Sequence, residues 1–181
     1  MIALLLDRDG TLMEDVGYPN DSNNVRLLPG AAEAIKILHD DYDCRPAIVS
    51  NQSGVARGLI TSKQMLDVHA RFVDLFQEAS GLKLPGFYCP HGVEVGCDCR
   101  KPKLGLLHQA VKHLNMVGQP AVMIGDKPSD VEAGMAFGAK TVWLSWGRTY
   151  PAKSPVPDFI ANDWSDVLAW AATSLPRRRR C

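Results

Sequence analysis

Asp7 and Asp9 stand two positions apart at the end of a short apolar run, Ile2 to Leu6. Such a run reads as a buried strand, and acids at its end reach the carboxyl edge of an open α/β sheet, where ligands bind. One carboxylate can attack as an anionic nucleophile, and the other can handle the proton of the leaving group. Gly10 follows, and the lack of a Cβ permits a sharp turn and close approach by a ligand. Alone, the fragment fits equally a metal site without catalysis or a solvated turn.

Other strand ends add to it. Pro46 to Ser50 reads as a strand that finishes in Ser50-Asn51-Gln52-Ser53-Gly54. Ala121 to Gly125 finishes in Asp126-Lys127, and Arg100-Lys101-Pro102 stands just before a helical pattern. In a doubly wound sheet these ends converge on one edge. Asp7 and Asp126, with a backbone carbonyl, are hard oxygen ligands suited to Mg²⁺. Ser50 and Lys101 can hold phosphate oxygens and offset the charge of a transferring phosphoryl group. Such a site would form an aspartyl-phosphate and then hydrolyse it. Each residue also has a plainer reading: Ser50 as a turn cap, Lys101 as a surface lysine, Asp130 as a helix-start acid that favours the dipole.

Cys89, His91, Cys97 and Cys99 place four soft or borderline ligands within eleven residues. A Cys₃His set closes a tetrahedral zinc site and leaves no open position, so the zinc would be structural. Its task would be to fix the loop that delivers Arg100 and Lys101. The plainer reading is a few free thiols near a strand end. Cys44 reads as packed, Cys181 as an exposed tail thiol, and His39, His69, His108 and His113 as surface or packing residues.

The elements that must position these groups alternate. The pattern predicts strands at 2–6, 46–50, 86–89, 121–125 and 141–145, with a short last one at 159–160. Helices are predicted at 29–40, 61–81, 104–114, 129–137 and 164–172. Thr61 and Gln64 form a capping-box signature, and Met65, Val68, Phe72, Leu75, Phe76 and Ala79 follow at helical spacing. Alternation of this kind implies right-handed crossovers. The predicted fold is an α/β, three-layer α/β/α sandwich with a doubly wound, mostly parallel sheet, a minimal cap and a zinc-binding loop.

The chain has 181 residues, 46% of them hydrophobic, which suits one domain over 1–175. Basic and acidic residues balance at 20 each. Four of the basic ones lie in Arg177–Arg180, so the body is mildly acidic. The segment 176–181 reads as a solvated or disordered tail. No nucleic-acid or membrane partner is expected, and the protein should act as a monomer. No apolar stretch approaches a membrane span, and the N-terminal run is too short for a signal peptide. Clustered cysteines without a secretory signal point to a reducing compartment, the cytoplasm.

The four quoted elements resemble the haloacid dehalogenase superfamily of phosphatases, over roughly residues 2–147. The resemblance implies Asp7 as nucleophile, Asp9 as general acid and then base, and Mg²⁺ held by the Asp7 side chain, the Asp9 carbonyl and Asp126. Ser50, Asn51 and Lys101 would contact the substrate phosphate. Within the superfamily, Tyr88-Cys89-Pro90-His91 with Cys97-Asp98-Cys99-Arg100-Lys101-Pro102 looks like the zinc-containing branch. That branch is shared by D-glycero-D-manno-heptose 1,7-bisphosphate 7-phosphatases and histidinol-phosphate phosphatases. Asn51 to Gly58 and Gly17-Tyr18 are similar to the heptose group. Five residues between His91 and Cys97 also fit the histidinol group. A phosphorylated sugar is then the expected partner, with Arg100 and Arg57 free to receive a second phosphate.

Two other classes compete. A phospho-receiver signalling domain uses Asp, Ser/Thr and Lys at strand ends, but its acceptor normally belongs to an interior strand and it has no place for the zinc loop. A zinc-supported nucleic-acid module would use the arginine tail, but no aromatic-basic stripe accompanies it.

Overall fold

The computed structural model describes residues 1–178. Six strands form one parallel sheet: β1 Ile2–Leu6, β2 Cys44–Asn51, β3 Gly86–Cys89, β4 Ala121–Gly125, β5 Lys140–Leu144 and β6 Phe159–Ala161. Their order is β3-β2-β1-β4-β5-β6. The chain therefore builds outward from β1 in one direction, then returns to build in the other. The reversal lies between β1 and β4, where a crevice opens at the strand ends.

Five helices cover the sheet: α1 Ala31–Tyr42, α2 Ser62–Ser80, α3 Gly105–His113, α4 Pro128–Phe137 and α5 Trp164–Ser174. β1 is buried along its whole length and divides its side chains between two cores. Ile2, Leu4 and Leu6 pack with α1, α2 and α5, through Ile35, Phe72 and Trp164 among others. Ala3 and Leu5 pack on the other face with Leu107 and Val111 of α3 and Ala133 of α4. A strand apolar on both faces has no polar alternation, as a sheet covered on both sides requires.

The α2 start follows its sequence signal: the Gln64 amide donates to Thr61 Oγ1 at 3.1 Å, and the Thr61 amide donates to Gln64 Oε1 at 2.8 Å. Gly81 ends the helix in the left-handed conformation. Ala79 is exposed, and Val73 takes a place on the buried face instead. Helix α1 begins at Ala31 rather than Pro29, because Gly30, with φ of 76°, is the residue that turns the chain into it. β2 runs from Cys44 rather than Pro46, since its first residues pair with Ile2 and Ala3. Cys44 is buried, and burial pushes its thiol up to about 12.

The described part of the expected tail, residues 176–178, is exposed and meets the end of α1. The Arg178 amide donates to the Asp41 carbonyl at 2.6 Å, and the Arg177 guanidinium lies 5.8 Å over the Tyr42 ring. Arg179, Arg180 and Cys181, including the expected tail thiol, lie outside the described residues. Among the described residues, no helix is long and apolar enough to cross a membrane.

Candidate active site

Asp7 follows β1 directly and is buried in the crevice. Lys101 reaches it from the far side of the Cys-rich loop, Nζ to Oδ1 at 2.8 Å, and touches Asp130 Oδ1 at 2.7 Å. All three side chains are almost wholly buried. Burial works against the charge of Asp7, but the attraction of Lys101 and Lys127 overcomes it and holds the carboxyl below its ordinary value. Burial likewise disfavours the Lys101 ammonium, and Asp130 and Asp7 reverse that and raise it. Asp7 is thereby kept anionic and Lys101 cationic inside the protein.

Asp130 does two things at once. Its Oδ2 accepts from the Lys127 amide at 3.0 Å and caps α4, while Oδ1 pairs with Lys101. Capping the helix and pairing with Lys101 are thus compatible in this one residue. Lys101 is also fixed through its backbone: its amide donates to Asn51 Oδ1, and its carbonyl accepts from Asn51 Nδ2, each at 3.0 Å. Asn51 ties the Lys101 segment to the end of β2.

Asp126, at the end of β4, closes the group. Acidic oxygens of Asp7, Asp126 and Asp130 lie within 4.8 Å of one another. Burial, then the nearby charge of Asp7, push Asp126 up to about 7. Its Oδ2 accepts from Arg148 at 3.1 Å, whereas its buried Oδ1 has no hydrogen-bond partner. An unpartnered carboxylate oxygen among crowded acids is what a hard divalent cation would satisfy, so the donor set fits Mg²⁺. Gly10, with φ of 80°, makes room: a Cβ there would stand 2.5 Å from Asp126 Oδ2.

Asp9 lies outside that carboxylate cluster, on the cavity wall. Arg8 grips it with two donors, Nε to Oδ1 at 3.1 Å and Nη2 to Oδ2 at 3.0 Å. Gln52 Nε2 adds a third at 2.5 Å and also donates to Ser50 Oγ at 3.2 Å. Ser50 is buried near Asp7, whose charge it favours.

Asp9 and Gln52 line a cavity of about 320 Å³ together with Tyr18, Asn51, Arg100 and Lys127, whereas Asp7, Lys101 and Asp126 are not among its lining residues. Arg57 is not among its lining residues. Its guanidinium donates to Tyr18 Oη and stacks on that ring at 5.5 Å, bracing a residue of the cavity wall. Lys127 braces the same segment through Asp15, at 3.1 Å. A larger cavity of about 810 Å³ opens at the other end of the sheet, beside Ile2 and Ala121, and contains none of this chemistry.

The cysteine loop is drawn together. Cys89 Sγ lies 3.5 Å from Cys97 Sγ, which lies 3.4 Å from Cys99 Sγ. His91 Nδ1 is 3.6 Å from Cys89 Sγ and 3.2 Å from Cys99 Sγ. A tetrahedron of zinc–sulfur bonds near 2.3 Å has edges of about 3.8 Å, so the donor set fits Zn²⁺ with a small outward adjustment. Arg100 Nη1 donates back to the His91 carbonyl at 3.4 Å, tying the cavity's arginine to this loop.

The sequence singles out Arg148 only as a weaker candidate for a second phosphate, and it carries no sign of Gln52 or three indoles as parts of the site. Trp143 and Trp146 donate to the carbonyls of Asp126 and Gly10, each at 2.8 Å, and Trp164 donates to Thr11 at 3.1 Å. A tryptophan far along the chain gives no local signal that it braces a loop near the N-terminus.

A family model described as HAD-hyrolase-like matches residues 98–167. The D-glycero-beta-D-manno-heptose-1,7-bisphosphate 7-phosphatase of Haemophilus influenzae is 39% identical over 174 residues, covering 91% of this chain and 94% of that protein. The protein of the same name from Escherichia coli K12 is 31% identical, covering 91% of each. Among solved structures, the D,D-heptose 1,7-bisphosphate phosphatase of B. bronchiseptica, complexed with magnesium and phosphate, superposes with a TM-score of 0.79. It is 26% identical and covers 96% of this chain and 99% of its own. Full-length identity of this degree, on a shared fold, establishes that the chain belongs to the heptose-bisphosphate 7-phosphatase family of haloacid dehalogenase-like hydrolases.

Proposed function

We propose that this enzyme removes the 7-phosphate of D-glycero-D-manno-heptose 1,7-bisphosphate by way of a phosphate ester on Asp7. The observation that carries the reading is the buried Asp7–Lys101–Asp130 cluster beside the unpartnered oxygen of Asp126. It presents an anionic nucleophile beside a cation that can receive phosphate oxygens.

Asp7 attacks phosphorus while Asp9 protonates the departing sugar oxygen, and Asp9 then takes a proton from the water that frees phosphate. Ser50, Asn51 and Lys101 hold the reacting phosphate and its surroundings. Mg²⁺, held by Asp7, Asp126 and the Asp9 carbonyl, would neutralise charge on the phosphate oxygens. Zn²⁺ on Cys89, His91, Cys97 and Cys99 would fix the loop that presents Arg100. The remote 1-phosphate then falls to Arg100, with Lys127 beside it on the cavity wall.

The reading treats residues 1–175 as one catalytic domain that acts as a monomer on a soluble phosphosugar in the cytoplasm. Cysteines gathered with His91 as a metal-ligand set rather than in disulfides support a reducing compartment. The test compares kcat/KM for the heptose bisphosphate, fructose 1,6-bisphosphate and histidinol phosphate, with Asp7→Asn as control. The heptose bisphosphate should lead, and Asp7→Asn should fall to background while remaining folded. A lead for histidinol phosphate would move the substrate and keep the mechanism. Turnover by Asp7→Asn would end the mechanism.

A further inference from the structure

Arg8 is the largest charged side chain in the interior, with no exposed surface, yet it sits between two residues assigned to catalysis. It touches neither the cavity nor Asp7, and its fork is spent on Asp9. Both oxygens of Asp9 are engaged, one by Nε and one by Nη2, which fixes the carboxylate plane as well as its position. Arg8 is itself held, with its guanidinium 5.4 Å over the ring of Tyr88. Tyr88 in turn donates to, or accepts from, His69 Nδ1 at 2.6 Å. The chain of contacts therefore runs from α2 through β3 to the side chain of Asp9. Gln52, from the end of β2, completes the grip on Oδ2.

Structural economy alone does not call for this arrangement. A buried guanidinium is costly to desolvate, and an apolar residue in its place would often be as stable or more so. Arg8 even leaves Nη1 without a partner. An Asp9 without a clamp would turn freely about two side-chain bonds, and proton transfer requires a heavy-atom separation near 2.6–3.2 Å. We infer that Arg8, assisted by Gln52, is a positioning residue for Asp9: it never meets the substrate, and it sets where the proton donor stands when the leaving group departs.

The inference rests on the reading of Asp9 as the general acid. In that step the bond from phosphorus to the sugar oxygen breaks, the bond from Asp7 to phosphorus forms, and the Asp9 proton passes to the sugar oxygen. A sugar alkoxide needs that proton, whereas a nitrophenolate leaves without it. Because kcat/KM reports the reaction through this first step, two substrates separate the effects. Arg8→Lys keeps the charge and loses the fork.

It should lower kcat/KM on the heptose bisphosphate by about 10- to 100-fold, while p-nitrophenyl phosphate loses less than about 3-fold. Adding Arg8→Lys to Asp9→Asn should cost nothing further on either substrate. Gln52→Met, run through the same cycle, serves where Arg8→Lys fails to give a cooperative thermal transition. Equal losses on the two substrates, or losses that add to those of Asp9→Asn, would overturn the inference while the role of Asp9 stands. An Asp9→Asn enzyme as active as wild type would remove the reading of Asp9 and the inference with it.

Discussion

Lys101 is the residue on which the buried charges depend. It pairs with both Asp7 and Asp130 from one ammonium, at 2.8 and 2.7 Å, in an almost wholly buried cluster. Lys101→Met should therefore abolish turnover and also destabilise the protein by about 3–5 kcal/mol, the cost of stranding a buried charge. Urea unfolding in the presence of a chelator measures it, and a loss below about 1 kcal/mol would mean the carboxylates relax without their partner. Arg100 should behave differently. It lies on the cavity wall, and its side chain donates to the His91 carbonyl. A charge-assisted contact to phosphate contributes about 1.5–3 kcal/mol. Arg100→Ala should then cost about 10- to 150-fold in kcat/KM on the bisphosphate and much less on a monophosphate. Equal losses would assign Arg100 to the reacting phosphate or to the loop.

At the scale of elements, the segment from Cys89 to Lys101 has little regular structure, only the short turn Val93–Val95. It nonetheless carries the lysine that the site needs. Four ligands packed within zinc-bonding distance would supply the rigidity that hydrogen bonding does not. One zinc per chain is expected by elemental analysis. Its removal by a strong chelator, with Mg²⁺ restored, should raise KM and free the loop to proteolysis before the core melts. Active protein free of zinc would contradict this role. Zinc ligands and acidic strand ends were legible in the sequence because their chemistry is local: two ligands two apart, two acids two apart. The strands of the sheet were legible for the same reason, as apolar runs cut by turn residues. The double grip of Asp130 was not, since capping and pairing with Lys101 leave the same sequence trace. The Tyr18–Arg57 brace was not either, because Arg57 is separated from Tyr18 by β2 and α1, and a solvent-facing arginine near a phosphate site reads as a phosphate ligand.

For the whole molecule, one contact between layers makes stability depend on pH. His69 of α2 meets Tyr88 of β3, ring centroids 5.0 Å apart and hydroxyl to Nδ1 at 2.6 Å. Burial first, and then the positive charge of Arg8, lower its pKa from 6.5 to about 4. The folded protein thus keeps His69 neutral where the unfolded chain already binds a proton. Stability follows protons bound in the unfolded state less those bound in the native state, so it should fall as pH drops through 6.5 toward 4. Above 6.5 this residue contributes no slope, because both states are neutral there. The side chain is part-exposed, so solvent will soften the effect without changing its sign. His69→Gln keeps an acceptor for the Tyr88 hydroxyl and cannot titrate. Its urea midpoint should match or trail wild type near pH 7.5 and gain on it steadily down to about pH 4.5. Two profiles that stay parallel across that range would show that His69 is protonated in the folded protein and that the contact with Arg8 and Tyr88 opens to admit the charge.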